Sequence, residues 1–110
     1  MNKRLEQMIA GQEGSYVLPF LWPDEAHPEA IEPEIEAIYA CGIREICVEA
    51  RPFEDYAGPG WWKQMDIVLA AAKKHGMRVW ILDDKRFPTG YANGFLEKEH
   101  PEHCRHYLRE

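Results

Sequence analysis

Short apolar runs predict three β-strands in this chain. They span Ser15–Trp22, Ile43–Ala50 and Met77–Asp84. From Val79 onward the third run is apolar without interruption until two aspartates end it, which is typical of a strand buried on both faces. Pro19 has no backbone N–H, so we expect the first strand to lie at an edge or a bulge. Because strand side chains alternate, Ile46 and Val48 should face helices while Cys47 and Glu49 face the opposite way.

Two helices are predicted between these strands. Their apolar residues recur every three or four positions: Ile31, Ile35 and Ile38 in the first, and Trp62, Met65, Leu69 and Ala72 in the second. Gly42 and Gly76 follow the two helices directly, where glycine easily takes the left-handed conformation that ends a helix. Short helices are also expected at both ends of the chain, over residues 2–10 and from Pro101 through Leu108.

The resulting order, strand–helix–strand–helix–strand, predicts an α/β fold with parallel strands. We expect a single domain over residues 1–110, made of an N-terminal helix or cap (1–14), a βαβαβ unit with the site loops (15–94) and a C-terminal helix (95–110). A (β/α)8 barrel needs eight strands and about 250 residues. The predicted architecture is therefore about three strands of such a barrel, or a small open sheet with two unpaired edges.

The connections between the elements differ sharply in length. The helix-to-strand joints are tight glycine turns at Gly42 and Gly76, whereas the strand-to-helix joints are long and rich in charged and aromatic residues. Long loops gathered at one end of parallel strands are where α/β proteins build their sites. This asymmetry predicts that function lies at the C-terminal ends of the strands.

Net charge and cysteine content limit which binding partners and which cellular compartment are expected. The net charge of −6 argues against binding to nucleic acid or to an anionic membrane surface, and the sequence has no apolar run long enough to span a bilayer. No apolar segment follows the basic residues near Met1, so no secretory signal is expected. Three widely spaced cysteines, Cys41, Cys47 and Cys104, are typical of reduced thiols in a cytoplasmic protein.

Three carboxylates at the predicted strand ends are candidates for ligand binding. Glu49 ends the second strand, and Asp83 and Asp84 end the third. Neighbouring strands lie about 4.8 Å apart, so these groups can approach the roughly 5–10 Å separations used in glycoside hydrolysis. Adjacent strand residues point to opposite faces, so at most one of the two aspartates should face a site directly. The alternative is that the carboxylates cap loops or pair with nearby cations.

Aromatic residues lie on or beside the same loops: Trp22, Tyr56, Trp61, Phe87 and Tyr91. Aromatic rings suit the apolar faces of sugars, while carboxylates and arginine bind hydroxyl groups. The alternative for each ring is that it packs a long loop against the strands.

Two further clusters are candidates for binding a cofactor or a metal ion, but we predict neither. Residues 90–94 resemble a phosphate-binding loop only in their two glycines, with neither a Walker ending nor a helix starting cleanly afterwards. His100, His103, Cys104 and His106 have spacings that a metal ion could use on a helix. A solvated helix face is the preferred interpretation, because no distant carboxylate is evidently paired with them.

Four segments resemble bacterial glycoside hydrolases related to α-L-rhamnosidases. They are Gly14 to Trp22, Glu49-Ala50-Arg51-Pro52, Gly58-Pro59-Gly60-Trp61-Trp62, and Asp83 to Gly94. The last is the most specific, an acidic pair at a strand end followed by a Pro-Thr-Gly turn. The resemblance covers nearly the whole chain but only the N-terminal part of that family's longer proteins.

This resemblance implies a catalytic (β/α)8 barrel to which the chain contributes the first three strands, with the catalytic residues on later strands. The residues it implies for substrate binding are Trp22, Glu49, Arg51, Asp83, Asp84, Arg86 and Tyr91. We expect a carbohydrate ligand and an inactive isolated chain. Two alternatives stay open: a small module that self-associates through its sheet edges, and part of a metal-dependent sugar isomerase or epimerase.

Overall fold

A three-stranded parallel sheet forms the centre of the fold, and helices pack against it. The structure is a computed structural model, and it describes residues 2–10, 17–85, 89–105 and 108. The α-helices are α1 (Lys3–Ile9), α2 (Ile31–Ala40), α3 (Pro59–Lys74) and α4 (Phe95–Glu99), and the strands are β1 (Phe20–Leu21), β2 (Glu45–Val48) and β3 (Arg78–Ile81). Short 3₁₀ turns lie at Pro28–Ala30, Ala92–Gly94 and Pro101–His103. The predicted mixed α/β class is confirmed.

The strands lie side by side in the order β1-β2-β3, and both pairings are parallel. Cys47 of β2 lies between Phe20 and Trp80 of its two neighbours. Val48 lies between Leu21 and Ile81 in the next row. The order of the strands along the chain is thus also their order in the sheet, as expected for consecutive βα units.

Strand β1 is shorter than the sequence predicted. Only Phe20 and Leu21 belong to the ladder, and residues 15–16 lie outside the described part. Pro19 accepts a hydrogen bond at its carbonyl from the Cys47 N–H (2.9 Å) but has no N–H to give in return. The proline therefore marks the start of pairing on an edge strand, as expected from its chemistry.

The core lies between the sheet and the helices α2 and α3. Leu21, Ile46 and Val48 point into it from the strands, together with Ile31 and Ile35 of α2. The buried side of α3 completes the same cluster, so both helices cover one face of the sheet. The predicted orientation of Ile46 and Val48 is confirmed. We call the opposite side, which carries Phe20, Cys47, Glu49 and Trp80, the open face.

The buried side of α3 differs from the predicted one. Trp62 and Leu69 are half exposed, whereas Met65 and Ala72 are buried as expected. The remaining buried residues of the helix are Trp61, Gln64, Val68 and Ala71. The Trp61 ring packs edge-on against Phe53 and Tyr56 of the preceding loop, with centroids 5.1 and 5.2 Å away. The buried side of α3 is therefore displaced by about one residue from the predicted side, toward the aromatic cluster around Trp61.

The prediction that β3 is buried on both faces is wrong. Trp80 and Ile81 are 53% and 49% exposed. Among the described residues, β3 pairs only with β2, so its outer side is an open edge. The central strand is instead β2, where Ile46 and Val48 are fully buried.

The predicted helix from Pro101 through Leu108 is wrong for its first four residues, and residues 106–107 lie outside the described part. Helix α4 ends at Glu99, a single 3₁₀ turn covers Pro101–His103, and Cys104 is extended. Pro101 does occupy a first turn, since its missing N–H is harmless there. Helix α1 is confirmed within residues 2–10, where the Asn2 side chain accepts a hydrogen bond from the Arg4 N–H (3.0 Å).

Gly42 and Gly76 have φ of 84° and 62°, the left-handed conformation predicted for the turns after α2 and α3. None of the helices in the described ranges combines the length and the apolar character that a bilayer crossing requires.

Candidate ligand-binding surface at the strand ends

The loops after β1 and β2 are joined by hydrogen bonds. The Glu25 carboxylate accepts from the backbone N–H groups of Glu54 (3.0 Å) and Asp55 (3.2 Å). From α3, Gln64 Nε2 donates to the carbonyl of Asp24 (2.9 Å). A cavity of about 370 Å³ lies between these loops, with Asp24, Glu25 and Glu54 in its wall. Its carboxylates can accept hydrogen bonds from a polyhydroxylated ligand.

Lys85 joins the loop after β3 to the same group. Its ammonium donates to the Glu54 carboxylate (2.8 Å) and to the Glu54 carbonyl (3.1 Å). Lys85 is largely buried, whereas the Glu54 side chain is 75% exposed, so solvent partly screens this charge-assisted contact. All three strand-to-helix loops therefore meet at one end of the sheet.

The N-terminus of α3 depends on Asp55 and on two glycines. Asp55 Oδ2 accepts a hydrogen bond from the Gly60 N–H (2.5 Å) and so satisfies one of the open donors of the first turn. A Cβ atom at Gly60 would lie 2.7 Å from Asp55 Oδ2, and one at Gly58 would overlap the same carboxylate. Pro59 fits the first helical position. The Gly-Pro-Gly motif thus allows an aspartate to cap the helix.

The Glu49 cluster, formed by Trp22, Glu49 and Arg51, lies at the C-terminal end of the open face. Trp22 Nε1 donates to Glu49 Oε2 (2.7 Å), and the Arg51 guanidinium donates to Glu49 Oε1 (3.3 Å). Glu49 is only 3% exposed, whereas Trp22 is 55% exposed. The carboxylate therefore fixes an indole ring and a guanidinium that both reach solvent.

The charge of Glu49 also acts along the strand. Burial raises the pKa of the Cys47 thiol, and the nearby Glu49 carboxylate raises it further. Both effects disfavour the thiolate, so Cys47 is a neutral thiol at pH 7. It fills space on the open face and is a poor nucleophile.

Asp83 and Asp84 point in different directions, as their adjacency predicted. Asp83 is exposed, and its Oδ1 accepts from the Gly90 N–H (2.9 Å). Asp84 is 1% exposed, and its Oδ2 accepts from the Thr89 hydroxyl (2.9 Å). Both acids therefore hold the turn that follows them. The second oxygen of Asp84 is buried, with no hydrogen-bond partner among the described residues.

Tyr56, in the loop after β2, is affected by the charges of both aspartates. Burial raises the pKa of its phenol above the usual 10.0, and the charges of Asp83 and Asp84 raise it further. The phenol therefore keeps its proton well into the alkaline range and can act as a hydrogen-bond donor beside two carboxylates.

The Tyr91 ring lies half exposed against the backbone of Gly94. A Cβ atom at Gly94 would lie 3.1 Å from the Tyr91 hydroxyl oxygen, and the φ of Gly94 is 72°. Gly90 and Tyr91 also line a cavity of about 300 Å³ together with Leu96, Glu97, His103 and Cys104. Helix α4 begins at Phe95, contrary to our expectation that no helix starts cleanly here.

The predicted site residues thus form two groups, the Glu49 cluster and the turn that carries Asp83, Asp84 and Tyr91. Arg86 and Phe87 lie outside the described residues. Trp61 is a core residue and Tyr56 packs against it, so packing against the loops is the correct interpretation for this pair. Sequence reasoning missed Glu25 and Gln64, whose partners are backbone groups of distant loops that no local pattern reveals.

No protein-family model, curated protein or solved structure matches this chain. The resemblance to α-L-rhamnosidase relatives, read from the sequence motifs, therefore stays a prediction.

Proposed function

We propose that the strand-end surface binds carbohydrate and that the chain acts as the first part of a glycoside hydrolase-type barrel, similar to α-L-rhamnosidase relatives. The Glu49 cluster carries this proposal. It presents an exposed indole face next to a guanidinium and a fixed carboxylate. A sugar offers an apolar ring face for the first and hydroxyl groups for the other two.

The arrangement of the sheet supports the barrel part of the proposal. In a (β/α)8 barrel the strands follow one another in order, the helices cover the outer face, and the inner face leads to the site. Strands β1, β2 and β3 have this order, and both α2 and α3 pack on the same face of the sheet. The open face, with Phe20, Cys47 and Trp80, would then be a section of the barrel interior.

Each substrate-binding residue has a role in this proposal. Trp22 stacks on a sugar ring while Glu49 and Arg51 bind its hydroxyl groups. Asp83 and Tyr91 contribute from the third strand end, with Asp84 holding their turn through Thr89. Arg86 binds hydroxyl groups in the complete site. Bond cleavage is assigned to carboxylates on later strands, so the chain alone binds but does not hydrolyse.

Titration calorimetry with methyl α-L-rhamnoside tests the binding. Trp22→Ala should weaken it about two- to tenfold, if the ring–sugar contact contributes about 0.5–1.5 kcal/mol, as aromatic pairs do. Trp62→Ala is a matched control, because this ring is equally exposed (53%) but lies on α3. Equal losses in both variants, or no binding of any glycoside in a panel, would contradict the proposal.

Incubation of the chain with a panel of aryl glycosides tests the assignment of catalysis elsewhere. We expect no release of the aryl group above background. Robust turnover that Asp83→Asn abolishes would show that the chain carries its own catalytic acid, and the assignment would be wrong.

Self-association is a second candidate function, favoured by the exposed edge of β3. Trp80 and Ile81 are half exposed there, and an open apolar strand edge is a template for pairing with another chain. Sedimentation velocity over a range of concentrations tests self-association, since a monomer at every concentration would exclude it. A cytoplasmic location stays a prediction that depends on the three reduced thiols.

A further inference from the structure

Two turns of this protein share the sequence His-Pro-Glu and the same local structure. His27-Pro28-Glu29 precedes α2, and His100-Pro101-Glu102 follows α4. In each, a 3₁₀ turn begins at the proline directly after the histidine. In each, histidine Nδ1 contacts a glutamate oxygen, at 2.9 Å in the first turn and 3.2 Å in the second.

The turns differ at their fourth residue. The first has Ala30, whereas the second has His103, whose Nε2 lies 3.7 Å from the same Glu102 oxygen. One atom each from His100, Glu102 and His103 lies within 4.8 Å of the other two. The second turn therefore brings two imidazoles and a carboxylate to one point, and the first brings only one of each.

These distances are close to those of a tetrahedral metal site. Zn–N and Zn–O bonds of about 2.0–2.2 Å place neighbouring ligand atoms about 3.3–3.6 Å apart. The Glu102 oxygen lies 3.2 and 3.7 Å from the two histidine nitrogens. All three ligand atoms lie within 4.8 Å of one another, and the exposed His103 side chain can rotate to bring them closer.

The local structure holds two of the three ligands near this geometry. The backbone of the turn is closed by a hydrogen bond from the His103 N–H to the His100 carbonyl (3.0 Å). The His100 ring also packs near Phe95, with centroids 5.9 Å apart.

We propose that His100, Glu102 and His103 bind a divalent transition metal ion, with zinc, nickel or copper as the class that imidazole ligands favour. Three protein ligands leave at least one coordination position for water or a ligand. His103 also lines the cavity of about 300 Å³ that Tyr91 borders. The metal therefore lies beside that cavity, in a different place from the Glu49 cluster. This inference does not depend on carbohydrate binding.

Calorimetric titration of the purified chain with Zn²⁺ tests the proposal, with Co²⁺ absorption as a report on the coordination geometry. We expect one site. His103→Ala and His100→Ala should each weaken it at least tenfold, and Mg²⁺ should not bind there. All three ligands are well exposed, so these variants should keep the fold, which circular dichroism checks.

Two controls separate this site from other donors. His27→Ala removes the histidine of the two-ligand turn and should leave zinc affinity unchanged. Cys104→Ser reports whether the adjacent thiol binds zinc instead. Absence of zinc binding, affinity that persists in both His100→Ala and His103→Ala, or an equal loss in His27→Ala would each overturn the proposal.

Discussion

The two faces of the sheet use alternating residues of the same short strands for different purposes. On the helix-covered face, Leu21, Ile46 and Val48 are at most 2% exposed and join the core. On the open face, Phe20 is 56% exposed, and the buried Glu49 carboxylate is hydrogen-bonded to the side chains of Trp22 and Arg51. A shift of one residue along the chain, from Val48 to Glu49, therefore separates a core position from a position on the proposed binding surface.

The comparison separates stability from binding. The helix-covered face buries the apolar area that stabilises the domain, so substitutions there should change the free energy of unfolding most. The open face has charge and exposed rings, so its residues should govern ligand binding with little effect on folding.

The largest expected effect is on the covered face. Ile46→Ala should lower the free energy of unfolding by about 2–5 kcal/mol, because it leaves a cavity in a fully buried position. Phe20→Ser, on the open face, should change it by only about 0.5 kcal/mol. Urea unfolding of both variants measures the contrast. Comparable losses would mean that the open face is covered in solution, for example by a second copy.

A smaller loss of stability is expected at the N-terminus of α3, the helix that packs on the helix-covered face. Gly58→Ala places a methyl group against the Asp55 carboxylate and should disrupt the cap of α3, at about 1–2 kcal/mol. Asp55→Ala should cost a similar amount. If the cap is the shared cause, the double variant should lose clearly less than the sum of the two. Additive losses would contradict this account of the Gly-Pro-Gly motif.

Alkaline pH should weaken the fold through Tyr56. Its pKa is raised in the folded state, so the unfolded chain loses the phenolic proton first, and stability falls as pH rises above about 10. Below that pH the phenol is protonated in both states and the effect is absent. Tyr56→Phe should reduce the slope of unfolding free energy between pH 9.5 and 11. An unchanged slope would contradict the shift.

The smallest effect is a change in thiol reactivity on the open face. At pH 8, iodoacetamide should modify the exposed Cys41 well before Cys47, whose pKa is raised by burial and by Glu49. Glu49→Gln should speed the reaction of Cys47 because it removes the neighbouring charge. Peptide mass spectrometry follows both thiols. Modification of Cys47 as fast as Cys41 would contradict the buried placement of its side chain.

Local rules predicted the elements well and their surroundings less well. Periodicity placed α2, α3 and all three strands, and the turn glycines Gly42 and Gly76 ended the helices as expected. The burial of β3 was mispredicted because an apolar run reports composition, whereas exposure depends on the strand's position in the sheet. The buried side of α3 was also mispredicted. Phe53 and Tyr56, which lie outside the helix, pack on Trp61, and no pattern within the helix reveals these contacts.

The candidate site was predictable to a similar extent. Alternation along β2 placed Glu49 on the open face, and adjacency separated Asp83 from Asp84. The partners of these residues were not predictable, because Trp22 lies 27 positions before Glu49 and meets it only through parallel pairing. The backbone that carries the histidines was mispredicted, since Pro101–His103 forms a 3₁₀ turn rather than part of an α-helix.

The most direct test of carbohydrate binding follows the indole N–H resonances during titration with methyl α-L-rhamnoside. In ¹⁵N-labelled protein the Trp22 signal should move, because its Nε1–H is bound to Glu49 beside the proposed ligand. The Trp62 signal should not, since its Nε1–H donates to the Ala57 carbonyl (3.0 Å) at the start of α3. A shift confined to Trp22 and lost in Glu49→Gln is the predicted result. A stationary Trp22 signal, or equal shifts of both, would contradict the account.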